Sequence, residues 1–234
     1  MVFDYKYLTA GDRGLVVEFG SAIDEKTNAR VHLLAEHLSA RCIAGLEQCV
    51  PTYRSLLLLF DPFVVRKEQL IYIINDLLIE KENLFLYATL PESSRLVEIP
   101  VCYGGDFGPD IATVAKYNGL STQEVINIHS EAKYKVYMLG FLPGFPYLGG
   151  LDERIYCPRL DTPRTVVPAG SVGIASSQTG VYTVESPGGW QIIGKTPLKV
   201  FDPAREKPFL IAPGDSIIFT SIDKDVFEKL VVAR

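Results

Sequence analysis

The sequence predicts two domains, an α+β layer domain at residues 1–91 and a mostly-β domain at residues 92–234. Three observations predict this. Apolar runs in the amino-terminal part follow the order strand, strand, helix, strand, helix. A polar, turn-rich segment, Leu90-Pro91-Glu92-Ser93-Ser94, then interrupts the pattern. Finally, Phe141 to Pro197 is crowded with Gly and Pro, yet Val, Ile and Tyr recur between the turn signals. Pro presets φ at one turn position and Gly supplies positive φ at another, so such a stretch reads as a tightly folded β structure.

Residues 4–10 and 14–19 read as strands, joined by the turn signal Gly11-Asp12-Arg13-Gly14. Asp24 is placed to cap a helix carrying Ala29, Val31, Leu33, Leu34 and Leu38. Leu56 to Phe60 is a short apolar run bounded by polar residues, as in a buried strand. Helical spacing returns from Arg66 to Glu80. Beyond the boundary near residue 92, Arg95 to Cys102 reads as a strand, and Pro100 argues for an edge or a bulge at its end. Residues 110–118 and 121–130 read as helices around Gly119, the second opening with Ser121 and Glu124 at capping-box spacing. Strands are expected at 134–141, 209–211 and 216–220, with a mixed tail that favours a helix.

Composition narrows the function. The 23 basic and 28 acidic side chains leave a net charge of −5, with no basic block. That argues against nucleic-acid binding. No apolar run approaches the ~20 residues of a membrane-spanning helix, and MVFDYKYL lacks the layout of a signal peptide. Cys42, Cys49, Cys102 and Cys157 show no metal-binding spacing. His32 and His37 stand i, i+5 on the first helix and His129 is alone, so no metal site is expected. The chain reads as a reduced, cytoplasmic protein.

The candidate site residues lie in the turn-dense stretch. Gly189 to Thr196 matches the P-loop pattern G-x-x-x-x-G-K-[ST]. Its variable residues, Trp190, Gln191, Ile192 and Ile193, read instead as a strand, and Pro197 pushes Thr196 away from helix. Ser186-Pro187-Gly188-Gly189-Trp190 is either a tight hairpin with a core Trp or a nest of backbone N–H groups that holds an anion. Gln178 and Thr179 are expected in a loop; they are either part of an exposed polar loop or place the Gln178 amide to donate to and accept from a planar amide or lactam. Arg159 and Arg164 flank Pro163. They either grip a carboxylate or pair with Asp152, Glu153 or Asp161. Tyr147, Tyr182 and Glu185 carry polar tips, and any of them can act as a general acid or base. Ser171 lacks the preceding Gly of a G-x-S-x-G elbow.

The same stretch resembles the KipI family, also known as allophanate hydrolase subunit 1 or the 5-oxoprolinase PxpB family. The resemblance rests on Gly140-Phe141, Pro143-Gly144-Phe145, Tyr147-Leu148, Pro158-Arg159, Pro163-Arg164, Val167 to Ala175, Gln178 to Tyr182, Ser186 to Trp190, Ile193-Gly194 and Thr196-Pro197. It extends to Gly11-Asp12, Phe19-Gly20, Pro51 to Leu56 and Asp61-Pro62. It implies a cyclophilin-like barrel for the second domain, and partner subunits of the KipA/PxpC and PxpA kinds. It also implies a role in an ATP-dependent 5-oxoprolinase that opens 5-oxoproline to glutamate, with ATP held or shared by a partner and little activity in the lone chain. In that setting Glu185 and Tyr182 are the catalytic candidates. Arg159, Arg164, Gln178, Thr179 and Ser186, Pro187, Gly188, Gly189 and Trp190 are the substrate- and anion-binding ones. Two other readings come with the resemblance. One is an inhibitor of a sporulation sensor histidine kinase acting by protein contact. The other is the acceptor half of a urea-carboxylase-like carboxyltransferase, since the chain has no Ala-Met-Lys-Met biotin string. Self-association is a further expectation.

Overall fold

A computed structural model describes residues 4–21, 24–88 and 95–232. The chain divides into two compact units, Met1–Ser93 and Ser94–Arg234. The boundary expected at residue 92 falls outside the described residues.

In the first unit, β1 (Tyr5–Thr9), β2 (Gly14–Phe19), β3 (Leu46–Pro51) and β4 (Ser55–Phe60) form an antiparallel sheet in the order β1-β2-β4-β3. Period-2 alternation turns Leu15, Val17 and Phe19 to the same side as Leu56, Leu58 and Phe60. Onto them pack Val31, Leu34 and Leu38 of α1 (Glu25–Ala40) and Leu70, Ile74, Leu77 and Leu78 of α2 (Lys67–Glu80). Phe85 of the short α3 (Glu82–Leu86) joins the same core. Asp24 caps α1, its carboxylate accepting from the Thr27 N–H at 2.8 Å. Two elements depart from the sequence reading. Neither strand β3 nor helix α3 is expected from the sequence, and β3 supplies the fourth strand of the sheet.

The second unit holds seven sheet strands and a separate ribbon. The sheet strands are β5 (Leu96–Tyr103), β6 (Lys133–Leu139), β7 (Pro146–Gly149), β9 (Ser171–Ala175), β10 (Gln178–Val181), β12 (Gln191–Lys195) and β13 (Ser216–Ser221). Their order is β10-β9-β12-β5-β13-β6-β7. The outer strands β7 and β10 lie side by side, so the sheet curls into a nearly closed barrel. The ribbon, β8 (Arg164–Val167) with β11 (Ser186–Gly188), stands apart from it. The barrel core joins Ile99, Val101, Tyr134, Val136, Val172, Ile174, Ile193, Ile217 and Phe219. Against it pack α4 (Ile111–Asn118) and α5 (Thr122–Glu131), with α6 (Lys224–Val232) at the end. Ser121 and Glu124 form the expected capping box, and Gly119 closes α4 at φ +68. An α+β unit followed by a mostly-β barrel is thus the observed architecture.

Three expectations for this unit are corrected. β5 lies inside the sheet, not at its edge. It tolerates Pro100 because β12 joins it only at Cys102 and Tyr103, leaving β13 as the ladder partner beside the proline. Phe209 makes an isolated bridge to Phe201 and not a strand. Gln178-Thr179-Gly180 is strand; the turn is the two-residue tip Ser176-Ser177, with Ser176 at φ +52.

Candidate functional site

The P-loop match is β12, paired with β9 on one side and β5 on the other. An extended strand cannot wrap phosphates, so this pattern carries no nucleotide chemistry.

The Ser-Pro-Gly-Gly-Trp segment is likewise extended. Ser186 pairs with Val167 and Gly188 with Arg164, with a register shift between them at Pro187. Neither Gly188 nor Gly189 has positive φ, so the αR-αL alternation of an anion nest is not formed. The reason for glycine at 188 is close approach. A Cβ there would lie 2.3 Å from the Tyr182 hydroxyl oxygen. Ser186 turns its hydroxyl onto its neighbour, donating to Pro187 O at 3.2 Å. Pro187 and Glu185 are exposed.

Tyr182 is 1% exposed and belongs to packing. It sits with Phe145, Trp190, Val167, Ala175 and Ile192 in a satellite core. Phe145 meets Tyr182 edge-on at 5.6 Å and Trp190 at 5.3 Å. Burial pushes the Tyr182 phenol up, against a hydrogen bond from the Trp190 backbone and the charges of Arg159 and Arg164. Its ring thus shapes the site, and its hydroxyl is not available to a small substrate.

Arg164 is committed as well. Its Nη2 donates to Asp110 Oδ1 at 2.6 Å, and the Ile192 N–H donates to Asp110 Oδ2 at 2.6 Å. The partner is therefore none of the three acids suggested by proximity in sequence; Asp152 instead pairs with Arg154. Asp110 is buried, which makes it the hub that fastens α4, β12 and the ribbon together. Sequence reasoning places it only at a helix start. The turn-dense Gly104-Gly105-Asp106-Phe107-Gly108-Pro109 before it is the available signal.

Thr179 faces the barrel interior, fully buried. Its Oγ1 donates to Gly173 O at 3.0 Å and lies 2.9 Å from His129 Nε2. The hydroxyl has one proton, already given to Gly173, so the imidazole must donate from Nε2. Nδ1 then accepts from the Tyr103 hydroxyl, 2.8 Å away. Burial alone holds His129 neutral, its pKa pushed down to about 3. Thr179 is therefore a member of a closed internal network and does not line a ligand site. Gln178, at the start of β10, is half-buried.

Arg159 remains. The Leu160 N–H donates to Gly189 O at 2.7 Å and Gln191 Nε2 to Pro158 O at 3.0 Å, fixing the backbone on both sides of it. Its side chain is exposed and near enough to Tyr147 and Tyr182 to favour their ionised forms. Among the described residues it makes no hydrogen bond or ion pair. A fixed backbone, an unpaired guanidinium and an aromatic wall fit a carboxylate or other oxyanion. A surface groove of about 300 Å³, lined by Tyr117, Tyr156, Cys157, Pro158, Ser176 and Ser177, begins one residue away. Of the candidate residues, the structure thus gathers Arg159, Arg164, Tyr147, Tyr182, Gly188 and Trp190 at one place and sends Thr179 to the interior. Among the described residues no three metal-ligating side chains cluster, and no helix is long and apolar enough to cross a membrane.

Comparison with known proteins gives a consistent family. Residues 5–211 match the family described as carboxyltransferase domain, subdomain C and D. The B subunit of 5-oxoprolinase from Bacillus subtilis is 43% identical over 229 residues, covering 96% of this chain and 95% of that protein. The protein of the same name from Haemophilus influenzae is 54% identical over 163 residues, 68% of this chain and 69% of its own length. Among solved structures, TTHA0988 superposes on 90% of the chain with a TM-score of 0.77 at 38% identity, and this chain spans 40% of that longer one.

Proposed function

The chain belongs to the carboxyltransferase subdomain C and D family, and we propose that it is the B subunit of a 5-oxoprolinase complex. The observation that carries this reading is full-length similarity, at 43% identity, to a protein of that name. 5-Oxoproline presents a carboxylate beside a lactam. In this reading Arg159 takes the carboxylate as a forked pair of charge-assisted hydrogen bonds. The Tyr147 and Trp190 side of the satellite core shapes the wall beside it, and Asp110 holds Arg164 and β12 in place behind it. Exposed Glu185 is the remaining candidate for proton transfer.

The lactam carbonyl is a poor electrophile and needs activation. Neither the P-loop match, which is a strand, nor the Gly188-Gly189 pair, which forms no nest, offers a triphosphate its phosphate cradle. In this reading ATP is held by, or shared with, a partner of the PxpA or PxpC kind, and the lone chain has little or no activity. Co-expression with PxpA-like and PxpC-like subunits tests this. Glutamate and ADP are to appear from 5-oxoproline only when all three are present. Undiminished turnover after omission of this chain would overturn the reading.

A further inference from the structure

Cys42 stands where a helix end ordinarily calls for glycine. Helix α1 runs to Ala40 and ends on Arg41, which keeps a right-handed φ of −77. Cys42, the next residue, turns left-handed at φ +47. Gly usually fills this position, because a Cβ there crowds the carbonyl oxygen that follows. Little fastens the turn. The Arg41 N–H donates to Leu38 O at 3.3 Å and the Cys42 N–H to Ser39 O at 3.4 Å, both long for such bonds. Packing does not account for the residue type, since Cys42 is exposed. A strained backbone that carries a reactive side chain points to a use for that side chain.

A second cysteine shares its groove. Cys49 lies on β3, half-buried on the face that packs toward α1. Cys42, Cys49, Ser39 and Leu46 line one hollow of about 210 Å³ between the end of α1 and β3. Ser39 touches both thiols. Its carbonyl oxygen lies 4.0 Å from Cys42 Sγ, and its side chain hydrogen-bonds the Cys49 thiol. Burial outweighs that bond and pushes the Cys49 thiol up. The exposed thiol is therefore the one an oxidant reaches, and the half-buried thiol waits beside it. The other two cysteines, Cys102 and Cys157, are buried in the second unit.

We propose that Cys42 and Cys49 are a redox modification site that closes to a reversible intramolecular disulfide on exposure to a low-molecular-weight disulfide, RSSR. The Cys42 thiol loses its proton to solvent, and its sulfur attacks one sulfur of RSSR. RS⁻ leaves and takes up a proton, which gives a mixed disulfide on Cys42. The Cys49 thiol, deprotonated in turn, attacks the Cys42 sulfur and expels the second RS⁻, which is likewise protonated. Two protein thiols are oxidised and one RSSR is reduced to two RSH. The product ties the end of α1 to β3, the outer strand of the first sheet. In a reducing compartment such a bond is transient and acts as a sensor. The site is independent of the 5-oxoprolinase reading.

The probe is oxidised glutathione, added to the whole reduced chain. Alkylation, trypsin and mass spectrometry without reductant follow. Arg41 and Arg54 bound a tryptic peptide, residues 42–54, that contains both cysteines. Its mass is to fall by two hydrogens and to recover with dithiothreitol, and the thiols titrated after denaturation are to drop from four to two. In Cys49→Ser the glutathione adduct is to stay on Cys42, whereas in Cys42→Ser the peptide is to remain reduced. Cys42→Gly accepts the left-handed φ, so its melting temperature is to equal or exceed that of the reduced wild type. An unmodified wild-type peptide, a glutathione adduct that persists on it, or a cross-link between two chains each overturns the proposal. So does a Cys42→Gly variant that melts below the reduced wild type, since packing and not strain would then explain the residue.

Discussion

Asp110 and Arg164, 54 residues apart in sequence, meet at 2.6 Å, and the second carboxylate oxygen of Asp110 holds the Ile192 N–H at the same distance. One buried acid therefore ties a ribbon strand to the barrel. Arg164→Ala leaves that acid without its cation, and stability is to fall by about 3 kcal/mol. Asp110→Asn in the Arg164→Ala background is to recover part of the loss, because no buried charge then remains. Urea unfolding of the two variants measures both effects. A single-variant change below about 0.5 kcal/mol would remove Asp110 from this structural role.

Gly188 and Tyr182 form a second testable pair. A methyl at 188 would lie 2.3 Å from the phenol oxygen and 2.8 Å from the carbon bearing it. Gly188→Ala is to destabilise by about 1–3 kcal/mol through overpacking. Tyr182→Phe removes the nearest atom, so the double variant is to be more stable than the sum of the singles by at least about 0.5 kcal/mol. Additive behaviour in a thermal or urea cycle would place the constraint elsewhere.

Arg159 is exposed, so its removal is to be nearly silent in unfolding, within about 0.5 kcal/mol. In the assembled complex, Arg159→Ala is to raise KM for 5-oxoproline by about tenfold or more with little change in kcat, as for lost uniform binding. Arg159→Lys keeps the charge without the fork and is to fall between. Steady-state kinetics on a complex of unchanged stoichiometry is the measurement; an unchanged KM would reject the carboxylate anchor.

His129 makes stability depend on pH. The folded imidazole has a pKa of about 3, far below the ordinary value of about 6.5 that the unfolded chain restores. Above about pH 6.5 both states are neutral and the difference contributes nothing. Below it the unfolded state binds a proton that the folded core refuses, so stability falls with decreasing pH by up to about 1.4 kcal/mol per unit. Unfolding free energies between about pH 7 and 5, above most carboxylate titrations, are to show this slope in the wild type and a flatter one in His129→Asn. Parallel slopes would mean that the imidazole protonates in the folded protein.

Much of this architecture is legible where local chemistry acts alone. Asp24 before an apolar period, and Ser121 with Glu124, announce their helices because capping involves residues three apart. Trp190 to Ile193 declare a strand through side-chain bulk, despite a P-loop spelling. Strand β3 escapes because Leu46, Glu47, Gln48 and Cys49 show no clean alternation, as an edge strand permits. Pro187-Gly188-Gly189 reads misleadingly as a turn because glycine marks close approach as well as positive φ, and only the position of Tyr182 separates the two. Asp110 is hidden for a related reason. An acid before a helix looks like a cap, and its true partners lie 54 and 82 residues away.

The parallel pairing of β5 with β13 has a consequence for biosynthesis. Leu96 pairs with Ser216 and Val101 with Ser221, so the first strand of the second unit waits for the last. On the ribosome, β5 emerges more than a hundred residues before the neighbour that completes its ladder. In the interval its Val97, Ile99 and Val101 face solvent, nascent chain or chaperone. The barrel therefore forms late, after Ser221 has cleared the exit tunnel, whereas the first unit draws its sheet from residues 5–60 and is free to fold early.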